Sequence, residues 1–260
     1  MKKTLFIFLI TVLLSCCKKE LYSDLGKLSG EGVIEISSDN VSGKIGKIFS
    51  KYVYTTAPNG RRIEIFGTSG VSDKKMLYAR DILEQYLKIE GNLYKNKHKE
   101  IIANSMANKR SAMVFWDTEQ QYENNMSKLL LSGYNLQDLY ATESLGSERD
   151  ASYEEILHLV HNYGIAPTLF EFQSKLQKAN DDAISKGLWN PSSDLPKADY
   201  DDEYFAALMD CYLGLWEGKG GTMGGEYIPS SKDEMINKDP IGYKLIKELF
   251  GDIKTIKYEE

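Results

Sequence analysis

"SYEEILHLVH" (residues 152–161) sets Glu154 and Glu155 one turn ahead of His158 and His161, two of the three histidines in the 260-residue chain. Ile156, Leu157, Leu159 and Val160 fill the intervening positions, a spacing that predicts an amphipathic helix over 151–162. Each helical residue turns about 100°, so Glu154, His158 and His161 fall within about 60° of one another while the aliphatic side chains take the opposite side. Two readings stand. The acids and imidazoles form a solvated face over an aliphatic core face, or they form a stripe of metal ligands.

In the second reading Glu154-Glu155-x-x-His158 keeps the register of the zinc-binding helix signature His-Glu-x-x-His, with glutamate in place of the first histidine. There the i and i+4 residues ligate zinc and the glutamate after the first ligand polarises the attacking water, so Glu154 and His158 are candidate ligands and Glu155 the candidate base. A carboxylate is an acceptable zinc ligand, but a Glu/His/Glu set is more negative than a two-histidine site and blunts the pull of the metal on water. His161, one turn after His158, is an alternative nitrogen ligand. A third ligand must come from elsewhere, and the apolar stretch "DDEYFAALMDCYLGLWEG" (201–218) carries Glu203, Asp210 and Glu217 on one helical face. Glu203 equally suits a first helical turn, where the helix dipole favours acids. Asp210, among apolar neighbours, needs a histidine, an arginine or a cation to offset its burial.

At the N-terminus, Lys2 and Lys3 precede an apolar run, Leu5 to Leu14, too short to span a bilayer. This is an export signal, and Leu13-Leu14-Ser15-Cys16 looks like a bacterial lipoprotein processing site. The expectation is cleavage before Cys16, lipidation of its thiol with fatty acids such as palmitate, and a protein anchored in the bacterial cell envelope, at the outer membrane or cell surface. The chain then divides into a signal peptide (1–15), a lipidated tether (16–31) and one domain (32–260). Removing Lys2 and Lys3 leaves 30 basic against 38 acidic residues, a net charge of −8, which argues against nucleic acid as a partner. Cys17 lies in the tether and Cys211 in an apolar helical stretch, so no disulfide framework is expected.

Strand-like runs lie at 32–37, 51–57, 61–69 and 111–116, with Pro58-Asn59-Gly60 as a hairpin turn. Helical patterns lie at 71–91, capped by Ser72, and near 97–107, 117–131, 151–162, 168–186, 201–217, 230–237 and 240–250. The fold class is α+β, a small, mostly antiparallel sheet with a predominantly helical remainder. His98, in a Lys-rich run, reads as exposed. Tyr227, in a Gly-rich loop, is a candidate hydrogen-bond donor to a tetrahedral intermediate, its position left open by the sequence.

Three blocks in order resemble a group of uncharacterised secreted bacterial proteins with a gluzincin-like (zincin) metallopeptidase pattern. They are Ser72-Asp73-x-Lys75-x-x-x-Ala79-x-x-Ile82-Leu83-x-x-Tyr86-Leu87, Tyr153-Glu154-Glu155-Ile156-Leu157-His158-Leu159 and Glu203-Tyr204-Phe205-Ala206-Ala207. The resemblance implies a zincin-like domain with Glu154, His158 and Glu203 as ligands to zinc, Glu155 as base and peptide bonds of a peptide or protein as substrate. The missing first histidine leaves a second expectation, a catalytically inactive lipoprotein on the same scaffold that binds a peptide, a glycan or a partner protein. Bringing Glu203 to His158 also demands that the helices around 151–162 and 201–217 lie side by side across a cleft.

Overall fold

The computed structural model describes residues 32–37, 41, 43–88, 93–129 and 132–258, with the backbone alone for 93–96. The expected signal peptide (1–15) and lipidated tether (16–31), with Cys16 and Cys17, lie outside these residues. No helix among the described residues is long and apolar enough to cross a membrane.

The fold is α+β around a five-stranded sheet: β1 (Ile34–Glu35), β2 (Lys51–Thr56), β3 (Arg62–Gly67), β4 (Ser111–Trp116) and β5 (Asn135–Tyr140), in that spatial order. β2 and β3 form the expected hairpin, running in register from Thr56 opposite Arg62 to Lys51 opposite Gly67. Gly60 takes the left-handed conformation (φ 80°) that the turn after Pro58-Asn59 needs.

The sheet is mixed, which corrects the expectation of a mostly antiparallel one: β1–β2 and β2–β3 are antiparallel, β3–β4 and β4–β5 parallel. The cause is connectivity. Helices α2 (Asp73–Leu87) and α3 (Leu93–Asn108) carry the chain from β3 back to the start of β4, and α4 (Glu119–Leu129) does the same between β4 and β5. A helical crossover returns the chain to the same end of the sheet, so the next strand runs parallel. β5 was not legible as a strand, because only Leu139 in "NLQDLY" is buried.

Alternation along the strands splits the interior. Ile63, Ile65, Met113 and Phe115 face the large helical layer, while Phe66, Val114 and Trp116 face a smaller cluster with Ile45 of α1 (Ile45–Ile48) and Leu129 of α4. The large layer holds α2, α3, α5 (Ser152–Val160), α6 (Phe170–Ser185), α7 (Tyr200–Leu213), α8 (Lys232–Lys238) and α9 (Pro240–Phe250). The Ser72 hydroxyl caps α2 by accepting from Lys75 N–H at 3.3 Å. α7 is buried from Tyr204 to Tyr212, the pattern of a helix apolar all round. It stops at Leu213, earlier than expected, because Gly214 adopts the left-handed φ of 73° that closes a helix C-terminus.

Candidate metal centre

α5 packs lengthwise against α7, on which Glu203 lies in the first turn. α5 is also tied to α2, where the Tyr86 hydroxyl donates to Tyr153 O at 2.9 Å. Beyond Val160 the helix widens into a π turn, His161–Ile165. Gly164 in that turn lets it approach α3 closely, since a Cβ there would lie 2.6 Å from Ile102 Cγ2.

Burial removes the solvated-face reading of α5. Glu154, His158 and His161 are 6%, 5% and 2% exposed, as closed off as their aliphatic neighbours. Ionisable groups are not kept in such places without partners.

Among the described residues, one group of three side chains converges as metal ligands can: Glu154, His158 and Glu203 each offer a donor atom, all within 4.8 Å of one another, and together they can hold a metal ion. His158 Nε2 lies 3.8 Å from Glu203 Oε1, within reach of two ligand bonds of about 2.0–2.2 Å to a shared ion. The two helices thus do lie side by side, as expected, but packed directly against each other rather than across a cleft. Glu203 is the half-buried member, and its side chain is 30% exposed.

The surroundings orient these donors. His158 Nδ1 lies 2.9 Å from Asp202 Oδ2, so Nδ1–H donates to the carboxylate and Nε2 is left toward Glu154 and Glu203. A carboxylate behind a ligating imidazole fixes both its tautomer and its ring orientation. Burial alone would depress His158, but Asp202 and then Glu155 and Glu203 outweigh it and hold the metal-free imidazole well above its ordinary pKa. Burial likewise pushes Asp202 up, yet the charges and hydrogen bonds of His158 and His161 hold it below the usual carboxylate range. Burial raises Glu203, with Glu154 and Asp202 adding to the rise against His158.

Glu155 faces β5, where its Oε2 accepts from Gln137 Nε2 at 2.8 Å. Burial pushes its carboxyl up to about 8; Glu154 and Asp138 add to this, while His158 and Gln137 oppose it. A carboxyl poised near neutrality suits proton transfer. Glu154 accepts from Arg149 Nη2 in a short ion pair.

His161 is not brought into the ligand group. Its Nδ1 pairs with Asp202 Oδ1 and its Nε2 lies 2.7 Å from Gln173 Oε1, so both ring nitrogens are occupied. It supports the site instead, since Asp202 is shared between the two histidines. Asp210 is 1% exposed, and its Oδ2 accepts from Trp216 Nε1 at 2.8 Å. Burial and then Glu154 push its carboxyl far up, and it is not part of the converging ligand group. Tyr227 is fully buried with its hydroxyl donated to Asp239 Oδ2 at 2.9 Å, which removes it as a donor to substrate. His98 is half-buried rather than exposed.

Asp202, Arg149 and Gln137 are the residues that sequence reasoning missed. Asp201-Asp202-Glu203 in the first turn of α7 held the signal for Asp202, masked by the ordinary preference of acids for that position. Comparison with known proteins gives no match: no family model, no curated protein and no solved structure aligns significantly with the chain.

Proposed function

We propose that the protein is a lipid-anchored component of the bacterial cell envelope whose zincin-like domain is a zinc-dependent peptidase, with Glu154, His158 and Glu203 as the ligands and Glu155 as the general base. One observation carries this reading: a buried imidazole, already backed by Asp202, converges with carboxylates from two helices some 45 residues apart in sequence. Three protein donors that leave a further position open are the pattern of a catalytic zinc site. Zinc, when bound, supplies Lewis acidity toward water and a peptide carbonyl. Glu155 takes the proton of the attacking water, helped by a pKa already raised by burial, and Gln137 steadies its second oxygen. Glu203 is the half-buried member of the set, and a peptide would approach from its side.

The ion pair with Arg149 supports a second reading. It offsets the buried Glu154 charge without any metal ion, as a non-catalytic lipoprotein holding a peptide, a glycan or a partner protein would require. Zinc content of the full-length protein, purified in detergent after exposure to zinc, separates the two. One zinc per chain is expected, and none would defeat the first reading. Glu155→Gln should keep the zinc and lose hydrolysis of peptide substrates, since the amide cannot accept a proton. His158→Ala should lose the zinc, because two carboxylates are too few to hold it.

A further inference from the structure

The replacement of histidine by glutamate at position 154 changes what must stand behind the ligand. A ligating imidazole has one spare group, an N–H, and its partner must accept; His158 has Asp202 in that place at 2.9 Å. A carboxylate binding through one oxygen has a spare acceptor, so its partner must donate and is best positively charged. Arg149 stands there, its Nη2 on Glu154 Oε2.

Arg149 is itself held in place from several directions. Its guanidinium lies over the Trp216 ring, Cζ 5.6 Å from the centroid. Trp216 in turn is fixed by its Nε1–H, which donates to the buried Asp210 at 2.8 Å, on the same helix as Glu203. The loop that carries Arg149 is fastened by Ala151 N–H to Glu143 O at 2.8 Å, Lys219 Nζ to Glu148 O at 2.8 Å, and the paired hydroxyls of Ser144 and Ser152 at 2.8 Å. The group that Arg149 reaches through Glu154 is acidic, with Glu154 and Glu203 converging on His158 and Asp202 behind the imidazole. Arg149 is the guanidinium that offsets this negative excess from the Glu154 side.

We propose that Arg149 is a positioning residue that fixes Glu154 as a one-oxygen ligand and offsets the surplus negative charge of the Glu154–His158–Glu203 set. This rests on the metal reading of that set, and the test keeps the two apart. The measurements are the zinc dissociation constant of the full-length protein in detergent, by competition with a chelator, and the melting temperature of the same protein stripped of metal. Arg149→Met, which keeps the apolar stem, should weaken zinc binding about 10- to 100-fold, the usual range for an outer-shell partner. Arg149→Lys should recover most of that loss. A residue with a merely structural part would lower the metal-free melting temperature and leave the dissociation constant alone, and that result overturns the proposal. Unchanged or tighter zinc binding in Arg149→Met overturns it too, the second because the arginine would then be competing with the ion. If Arg149→Met does not fold, Arg149→Gln, a neutral donor, takes its place: affinity weaker than wild type supports the proposal, and wild-type or tighter affinity overturns it. The cobalt-substituted protein adds a spectroscopic readout, since a change in Glu154 ligation alters the visible absorption bands. If the wild type binds neither metal, the ligand reading itself has failed, and that outcome is visible before any Arg149 variant is made.

Discussion

Asp239 joins three elements through one carboxylate. Its Oδ1 caps α9 by accepting from Gly242 N–H at 2.9 Å, and its Oδ2 accepts from the hydroxyls of Tyr204 at 2.6 Å and Tyr227 at 2.9 Å. Asp239 is 3% exposed and both tyrosines are fully buried, so no water replaces these bonds if the carboxylate is removed. Losing an N-cap costs about 0.5–2 kcal/mol, and each stranded buried hydroxyl about 1–3 kcal/mol. Relief of the carboxylate's own desolvation offsets part of this. Asp239→Ala should therefore destabilise by about 3–5 kcal/mol, a large share of the roughly 5–15 kcal/mol that holds a domain together. Asp239→Asn keeps the capping oxygen and offers an amide N–H to a tyrosine oxygen, so its cost should be about 1–2 kcal/mol. Urea unfolding followed by tryptophan fluorescence measures both, with Trp189 as a local reporter 6.2 Å from the Tyr204 ring. The carboxylate-centred account also requires Tyr227→Phe to cost little once Asp239 is already alanine. A loss under about 1 kcal/mol for Asp239→Ala, or a full cost of Tyr227→Phe in that background, refutes it.

Three further outcomes are expected. Glu234 accepts from Ser230 N–H and its hydroxyl at the start of α8, and from Lys238, and these hold its carboxyl down at about 2 against an ordinary 4.5. A depressed folded-state pKa means that its contribution is fully present above pH 4.5 and fades as the pH falls toward 2; Glu234→Gln should flatten the stability profile across that window in acid titrations of unfolding. Gly164→Ala should cost about 1–3 kcal/mol through overpacking, because the new methyl meets Ile102 Cγ2 at 2.6 Å and Met106 Cγ at 3.1 Å; a thermal melt equal to wild type would contradict the close approach of the π turn to α3. Cys16→Ser should leave an unprocessed precursor that takes up no fatty-acid analogue, and labelling equal to wild type would reject the lipoprotein reading.

The hairpin of β2 and β3, the Ser72-capped α2 and the pairing of α5 with α7 were legible because each rests on local chemistry: a Pro-Asn-Gly turn, a hydroxyl cap, and ligand spacing on two helices. The parallel half of the sheet was not, since strand direction is set by where the crossover helices deliver the chain rather than by any residue of the strand. β5 was hidden for a reason tied to the site. Its Gln137 is polar because it bonds Glu155, which breaks the apolar alternation by which a strand is read. The face of α5 was also ambiguous in sequence, because acids and histidines fill a solvated face and a buried ligand set alike. What separates them is whether another helix covers them, and that is a long-range fact. His161 stood as an alternative ligand for the same reason: the partners that occupy its two nitrogens, Gln173 and Asp202, reach it from α6 and α7.

The donors differ in how firmly the chain holds them, and this bears on the rate at which an ion comes and goes. Glu154 and His158 sit within a buried helix followed by a π turn, whereas Glu203 lies in the first turn of α7, after an exposed stretch and a short 3-10 turn, Lys197–Asp199. Helix ends open at far smaller free energies than whole domains. Fraying of Asp201–Glu203 removes one donor and, through Asp202, loosens a second, while leaving α5 in place. On the proposed metal reading, exchange of an ion would follow the opening of one helical turn, and amide hydrogen exchange at 201–203 should slow when the site is filled.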